Sequence, residues 1–428
     1  MTEQGQAGLL VAIVGGSTAG AEIADKLAGQ GALCVVFEQN DRPYGKVEDG
    51  LPLWHRALRR KEYDQIDAKL SRPSVHFVPR TRIGQDVPFD ELVRDWGFDV
   101  VVLAQGAWRD RALPVAGADA YVGRGLVYQN PLIYWFNHYR QPDYAGPRYE
   151  VVDDALVVGG GLASIDVVKV LQIETTLAAL RARGIQTDLW QLETEGVPET
   201  LAAHGLRWED LGLRGCTLYY RRRIEDMPLA EASPNATPEQ LGKTAQVRRR
   251  ILEKAQSKYC FRVEPQWAPV GLLTEGDRLV GLRFARTRID ASGRAAIVPG
   301  EERAVRSGLI VSSIGSIPEP IEGLKMEGEL LLLSDPNRCQ VYGYSNVFGC
   351  GNVVTGKGNL VASRKHSGDI ARVVREQFDQ SSATNGNGHR RSDRVDALLR
   401  RVRARQDQVG YTGDYPSWIA QATPSGFA

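Results

Sequence analysis

The sequence predicts an α/β protein with two Rossmann-like dinucleotide-binding domains, and three observations carry that prediction. An apolar run at Leu9–Val14 feeds a glycine turn, Gly15-Gly16-Ser17-Thr18-Ala19-Gly20, and then an alanine-rich helical stretch. A second apolar run, Ala155–Val158, feeds Gly159-Gly160-Gly161 and a second helix. Glu38 ends the next apolar run, 23 residues after Gly15, where a dinucleotide fold places the acid that binds a ribose.

Length and composition fit this class. With 428 residues the chain is long enough for two or three domains. Hydrophobic residues make up 43% and charged residues 25%, which excludes a disordered or fibrous chain. Lys+Arg number 53 against Asp+Glu 52, so the net charge of +1 gives no global attraction to nucleic acid or to a membrane surface. No apolar run approaches the ~18 residues of a spanning helix. Met1–Leu10 lacks a basic region followed by an apolar stretch, so no signal or transit peptide is expected. Cys34, Cys216, Cys260, Cys339 and Cys350 are scattered and show no metal-ligand spacing. A cytoplasmic chain with no metal site is expected.

The elements follow in order. After the first turn and helix, Ala32–Phe37 reads as a second strand, and Val100–Ala104 as a later one. The second turn leads into a helix from Ser164 to Ile173. Its next strand, Thr217–Tyr220, comes only after a long charged insertion. Val311–Gly315 reads as the strand closing that domain. Asn346–Gly351 starts a return segment, with a helix from about Asn359 to Phe378. Ser381–Gly388 has linker composition. Ser392–Gln406 is helical in pattern, and the end is irregular.

Each turn has a chemical reading. Glycine lets the backbone turn tightly and approach a pyrophosphate, while free N–H groups at the helix start face the anion. Gly15 and Gly20 take the outer positions of G-x-G-x-x-G. Ser17 takes the middle one, with Gly16 expected to supply the lost room. In the second unit Gly159-Gly160-Gly161-Leu162-Ala163-Ser164 fits G-x-G-x-x-small. Its following strand ends in Tyr220-Arg221-Arg222-Arg223, and arginines there suit a 2′-phosphate.

Pro43–Gly50, Leu103-Ala104-Gln105-Gly106-Ala107, Trp135-Phe136-Asn137, Tyr220-Arg221-Arg222 with Met227-Pro228, Cys350-Gly351-Asn352 and Gly356–Val361 occur in that order. Together they resemble segments of the adrenodoxin-reductase-like ferredoxin–NADP reductases, relatives of the glutamate synthase small subunit, from about Leu10 to Glu376. The resemblance implies an NADP domain inserted into a discontinuous FAD domain. The expected boundaries are 1–120 with 335–380 for FAD, 121–150 as a crossover, 151–334 for NADP, and 381–428 as flexible linker and tail. It implies FAD contacts at Gly15, Gly16, Ser17, Ala19, Gly20, Glu38, Lys46, Thr81, Gly106, Gly351, Asn352, Asn359, Leu360 and Val361. It implies NADP contacts at Gly160, Gly161, Leu162, Ala163, Arg221 and Arg222. The chain departs from the family at Lys46 (apolar there), Asn352 (tryptophan) and Asn359 (glycine).

The resemblance further implies an FAD-dependent oxidoreductase passing hydride between NADPH and flavin and single electrons to or from ferredoxin or a similar acidic carrier. His55 is the candidate for proton traffic, and Glu231 is a candidate acidic partner. Arg56, Arg59, Arg60 and Lys61 form the favoured docking cluster, with Arg248–Arg250 and Arg400, Arg401, Arg403 and Arg405 as others. Two alternatives stand beside this reading: an electron-input subunit of a larger complex, and a non-catalytic dinucleotide-binding protein. The physiological acceptor, the direction of flow and the choice between monomer and homodimer stay open.

Overall fold

All five residues of β1 (Leu10–Val14) are buried, the pattern demanded of a strand inside a parallel sheet with both faces covered. The computed structural model describes residues 8–233, 235–356, 359–382 and 388–424. The chain divides into two units, one of Met1–Leu51, His55–Arg109 and Ser316–Ala428, the other of Pro52–Trp54 and Asp110–Gly315. In the first unit β1 is followed by α1 (Thr18–Ala28), β2 (Leu33–Phe37), α2 (Lys46–Asp49), α3 (Arg56–Leu70), β3 (Val75–Val78) and β4 (Val100–Leu103). β2 and β4 flank β1 in parallel, so that Ile13 lies opposite both Val36 and Val102. The inner face of α1 is small near the turn, with Ala19, Gly20, Ala21 and Ala24, and adds Ile23 and Leu27 further along. A Cβ on Gly20 would fall 1.8 Å from the Gly15 carbonyl oxygen, so the helix approaches the turn as only glycine permits.

The second unit contains β5 (Leu126–Tyr128), α4 (Gln129–His138), β6 (Leu156–Gly159), α5 (Leu162–Ala182), β7 (Thr217–Tyr220), α6 (Pro238–Tyr259) and β8 (Arg262–Pro265). There follow β9 (Trp267–Glu275), β10 (Arg278–Ile289), β11 (Ala295–Arg306) and β12 (Ile310–Ser313). A parallel sheet of order β5-β12-β6-β7-β8 is joined to an antiparallel meander, β9-β10-β11. The helix expected over Ser164–Ile173 runs instead over Leu162–Ala182, because Leu177 and Leu180 continue its buried side. The segment expected as a separate crossover, 121–150, belongs to this unit: Leu126 extends the sheet, and Leu132, Trp135 and Phe136 are buried with Val168 and Leu171 in one core.

The chain then returns to the first unit through β13 (Leu333–Asp335), β14 (Gln340–Val341) and β15 (Val347–Gly349). Its sheet reads β13-β14-β15-β4-β1-β2-β3, with β15 parallel to β4. Four helices follow: α7 (Asn352–Thr355), α8 (Leu360–Ser382), α9 (Gly388–Gln408) and α10 (Tyr415–Ala422). The units meet in sequence at 109/110 and 315/316, against the expected 120/121 and 334/335.

The tail is a correction. The helix read over Ser392–Gln406 is present, within α9, but the end expected to be irregular carries α10, and the tail expected to be flexible is packed. Leu398 and Val402 of α9 and Tyr415 and Trp418 of α10 are buried in the first unit's cores. The central part of the linker, 383–387, lies outside the described residues. Among the described residues no helix is long and apolar enough to cross a membrane. Nor, among them, does any cluster of His, Cys, Asp and Glu have the makings of a metal site.

Candidate functional site

In the first unit the glycine turn is held by its own strand neighbours. Gly15, at φ +99°, would place a Cβ 2.8 Å from the Ala104 carbonyl oxygen and from the Gln105 Cα. The turn is thus wedged against the loop after β4. Glu38 is buried at the end of β2. Its Oε2 accepts the Gly16 N–H at 2.9 Å and its Oε1 accepts the Asn40 N–H at 3.0 Å. Burial pushes the carboxyl up from its ordinary 4.5 to about 7, against the lowering effect of those N–H groups. Glu38 therefore fastens the turn to the strand, with the remaining lone pairs of both oxygens as its further bonding capacity.

Ser17 shows how the sequence departs from three glycines. Its hydroxyl donates to the Tyr44 carbonyl at 2.9 Å and does not cap α1. The room it needs comes from Gly45, where a Cβ would lie 3.1 Å from the Ser17 Cβ and Oγ. Gly16, the expected source of that room, faces Pro43 and Glu38 instead. The start of α1 thus keeps its backbone N–H groups without a side-chain cap.

The return segment reaches the same turn. A Cβ on Gly351 (φ +72°) would sit 2.9 Å from the Ala19 Cβ, and the Gly351 N–H donates to His366 Nδ1 at 2.9 Å. Asn352 begins α7. Asn359 Oδ1 accepts the Ala362 N–H at 2.6 Å and so caps α8. Leu360 is half-buried and Val361 is exposed. Lys357 and Gly358 lie outside the described residues. Half-buried Lys46 donates from Nζ to Ser316 Oγ at 2.9 Å and lies 5.7 Å from the Trp108 ring centroid. Gly106 turns at φ +72° with open space beside it. Thr81 joins through its backbone, the N–H donating to the Glu38 carbonyl at 2.8 Å. Its hydroxyl is already used at both ends, donating to Pro79 O and accepting from Arg405 Nε. The side chain of Thr81 is therefore a brace.

In the second unit the turn is also closely packed. A Cβ on Gly159 would lie 2.2 Å from Ser164 Oγ and 2.3 Å from the Ser313 carbonyl oxygen. One on Gly160 would lie 2.3 Å from the Tyr220 ring. Ser164 Oγ donates across to Ser313 O at 2.9 Å, fixing the start of α5 to β12. Gly161 precedes the helix without a side-chain cap, and Leu162 and Ala163 are exposed there. The two expected arginines differ. Arg221 is exposed at the end of β7, whereas Arg222 donates to the Gly293 carbonyl at 2.6 Å and lies 3.6 Å from Asp226.

His55 is half-buried at the start of α3 in the first unit, and Glu231 is exposed in the second. The docking cluster is a correction. Arg56, Arg60 and Lys61 are exposed, but Arg59 is buried and donates from Nε to the Tyr63 hydroxyl at 3.1 Å. Arg59 lies on the inward stripe of α3 with Glu62, Ile66 and Leu70. Arg405 and Arg248 are likewise committed to backbone carbonyls.

Sequence reasoning missed two features. Tyr220 stands in the arginine motif, yet its ring shapes the second turn; a large aromatic at the last position of a buried strand was the available signal. Gln105 was passed over beside Gly106, although an amide directly after a fully apolar strand is conspicuous.

Fold and sites define a class: an α/β protein with two dinucleotide-type turns in two units, the second inserted into the first. No family model matches the chain. Its curated relatives include a cindoxin reductase of Citrobacter braakii, 33% identical over 165 residues, 38% of this chain and 34% of that protein. The mitochondrial NADPH:adrenodoxin oxidoreductase of Arabidopsis thaliana is 26% identical over 354 residues, 74% of this chain and 70% of that one. The glutamate synthase [NADPH] small chain of Escherichia coli is 23% identical over 375 residues, 84% and 66%. The first match thus spans only about a third of its relative. Among solved structures, Mycobacterium tuberculosis FprA in complex with NADPH has the same fold, with a TM-score of 0.69 at 19% identity over 94% of this chain and 91% of that one. The resemblance read from the sequence is met by relatives of those names.

Proposed function

We propose that the chain is an FAD-dependent oxidoreductase that passes hydride between NADPH and flavin and single electrons to or from an acidic carrier of the ferredoxin type. The observation that carries this reading is the contrast between the two turns: one is tied to a buried acid, Glu38, the other lies beside an exposed Arg221. An acid at that strand end favours a ribose hydroxyl and repels a 2′-phosphate; an arginine does the reverse. The residues fit both groups, since Gly15 and Gly20 in one turn and Gly159 and Gly160 in the other admit no Cβ and each helix start has uncapped N–H groups.

FAD would be held by Gly15, Gly16, Ser17, Ala19, Gly20, Glu38, Lys46, Gly106, Gly351, Asn352, Asn359, Leu360 and Val361, with Thr81 contributing its backbone. NADP(H) would be held by Gly160, Gly161, Leu162, Ala163 and Arg221, with Arg222 bracing the loop. Bound flavin supplies the conversion between a hydride and two single electrons. The chain's own work is alignment and exclusion of water. His55 is assigned to proton traffic at the flavin, and Glu231 is the acidic candidate in the second unit. The protein works in the cytoplasm on this reading, consistent with five cysteines that are all thiols.

The carrier would be met by Arg56, Arg60 and Lys61, without the buried Arg59. The test is an anaerobic NADPH titration of the purified protein with and without ferredoxin. A yellow protein bleached by NADPH, with FAD released on acid precipitation, is the expected result. Ferredoxin reduction should slow steeply with salt, because charges are screened beyond about 8 Å at physiological ionic strength, while dye reduction stays level. A colourless protein that takes up no FAD overturns the reading. A partner polypeptide that co-purifies and is needed for turnover would favour the electron-input subunit, the role suggested by the glutamate synthase relative.

A further inference from the structure

Gln105 occupies a position where an amide side chain is costly. It follows β4, a strand with every residue buried, and its Oε1 and Nε2 are both shielded from solvent with no hydrogen-bond partner among the described residues. Buried polar groups are nearly always matched in native proteins, and an unmatched one calls for a reason. Its backbone abuts the first glycine turn, since the Gln105 Cα is one of the atoms that a Cβ on Gly15 would strike.

Among the described residues, two more shielded oxygens in this unit have no hydrogen-bond partner: Thr18 Oγ1, at the first residue of α1, and Asn352 Oδ1, at the first residue of α7. Their segments meet the same turn, because Gly351, next to Asn352, packs on Ala19, next to Thr18. Three segments thus bring unmatched polar atoms to one place, beside a helix start that has no side-chain cap. Such a set suits a polar ligand, and an apolar filler would leave it unsatisfied.

We propose that Gln105 is a direct ligand of the flavin nucleotide, its Nε2 donating and its Oε1 accepting. The proposal rests on the reading of this unit as the FAD site. Asn352 is an amide too, but only its oxygen is unmatched, whereas Gln105 has both its amide donor and its amide acceptor unmatched. The polar chain of a flavin nucleotide needs both: phosphoryl oxygens take the N–H, and ribityl or ribose hydroxyls give to the carbonyl.

The test uses the full chain, stripped of flavin, in Gln105→Met and Gln105→Glu forms, with FAD titrated by the loss of its fluorescence and the melting of the flavin-free protein recorded alongside. Q105M keeps the length of the side chain and removes both unmatched atoms. It should melt at or above the wild-type temperature when empty yet bind FAD about tenfold more weakly, the loss of roughly one charge-assisted contact. Q105E keeps size and acceptor, removes the donor and adds a negative charge, so it should bind FAD at least as weakly as Q105M. If Q105M does not fold, Q105E decides alone. FAD affinities of the variants within twofold of a wild type that itself binds FAD would overturn the role of Gln105 and leave the flavin reading intact. A wild type that takes up no FAD would overturn both.

Discussion

The Tyr220 ring lies so close to Gly160 that a methyl group at position 160 would fall 2.3 Å from its Cδ2 and 2.4 Å from its Cε2. The constraint is purely steric, because Gly160 is not among the glycines with positive φ. The strand end that carries Arg221 is thereby locked to the turn that precedes α5.

Gly160→Ala should therefore cost about 1–3 kcal/mol of stability, the usual penalty for overpacking, and raise the KM for NADPH. The clash partner is a side chain, so Gly160→Ala with Tyr220→Ala should recover part of the melting temperature. A double variant no more stable than the single would show that the ring is not what forbids the methyl group. Thermal melting of the four proteins checks this.

Arg221 and Arg222 should separate. A charged hydrogen bond contributes about 1.5–3 kcal/mol, so Arg221→Ala should raise the KM for NADPH roughly ten- to hundredfold with little effect on NADH. Arg222→Ala should act on both nucleotides alike and lower the melting temperature, because the Gly293 carbonyl loses its donor and Asp226 keeps only Arg223 of its two arginines. Equal and selective losses for the two variants would contradict this division of labour.

These distinctions mark how far the sequence could be read. Both glycine turns were legible because their chemistry is local: strand, glycine, helix start and the residue ending the next strand occur at fixed spacings. What the arginines do was not, since Arg221 and Arg222 are neighbours in sequence and differ only in what the meander brings to them. The inward face of α3 was hidden for a similar reason. Two of its four buried positions are Arg59 and Glu62, so the helix shows little apolar periodicity. Glu62 is matched by Arg364 of α8, a pairing of residues far apart in the chain. The tail misled in the same way: Leu398, Val402, Tyr411, Tyr415 and Trp418 are spread among arginines and polar residues, and their burial depends on a sheet built by the first hundred residues.

Glu38 gives a pH signature. Its carboxyl is raised by burial from 4.5 to about 7 in the folded chain. Between those values the folded protein holds a proton that the unfolded chain has released, so this group makes stability fall as pH rises through that window. His76 and His366 are lowered by burial and act in the opposite direction. The contribution of Glu38 therefore shows as a difference: the stability lost by flavin-free wild type from pH 5 to 7 should exceed that lost by Glu38→Gln. Denaturant midpoints at three pH values read it, and parallel curves would show that the carboxyl titrates elsewhere.

The last prediction concerns the tail, which binds the first unit by polar bonds at several points. From α9, Arg405 donates to the Thr81 hydroxyl at 2.9 Å and to the Arg80 carbonyl at 2.9 Å, and Gln406 donates to the Phe77 carbonyl at 2.8 Å. From α10, the Tyr415 hydroxyl donates to Asp67 at 2.7 Å and the Trp418 indole N–H donates to the Asp41 carbonyl at 2.7 Å. Phe77 stands edge-on to Tyr411 and Tyr415 with centroids 5.8 and 5.2 Å away, so the aromatic packing is shared between strand and tail. Apart from Asp67 in α3, the points of attachment are β3 itself and the loops after β2 and β3, which carry Glu38 and Thr81. Trp418→Ala removes a buried indole and should cost about 3–5 kcal/mol. Arg405→Ala leaves the core intact and takes from the Thr81 hydroxyl one of its two partners. It should lower the melting temperature less than Trp418→Ala, yet weaken FAD binding, because the loop whose N–H holds the Glu38 carbonyl loses its brace. A flexible appendage would behave differently: removing residues 388–428 would leave melting and FAD affinity unchanged. Full-length protein, the truncated chain and the two point variants, compared by thermal melting and by FAD release, should rank with the truncated chain least stable. A truncated chain that melts and binds FAD like the full-length protein would show that the tail is not part of the fold that holds the site.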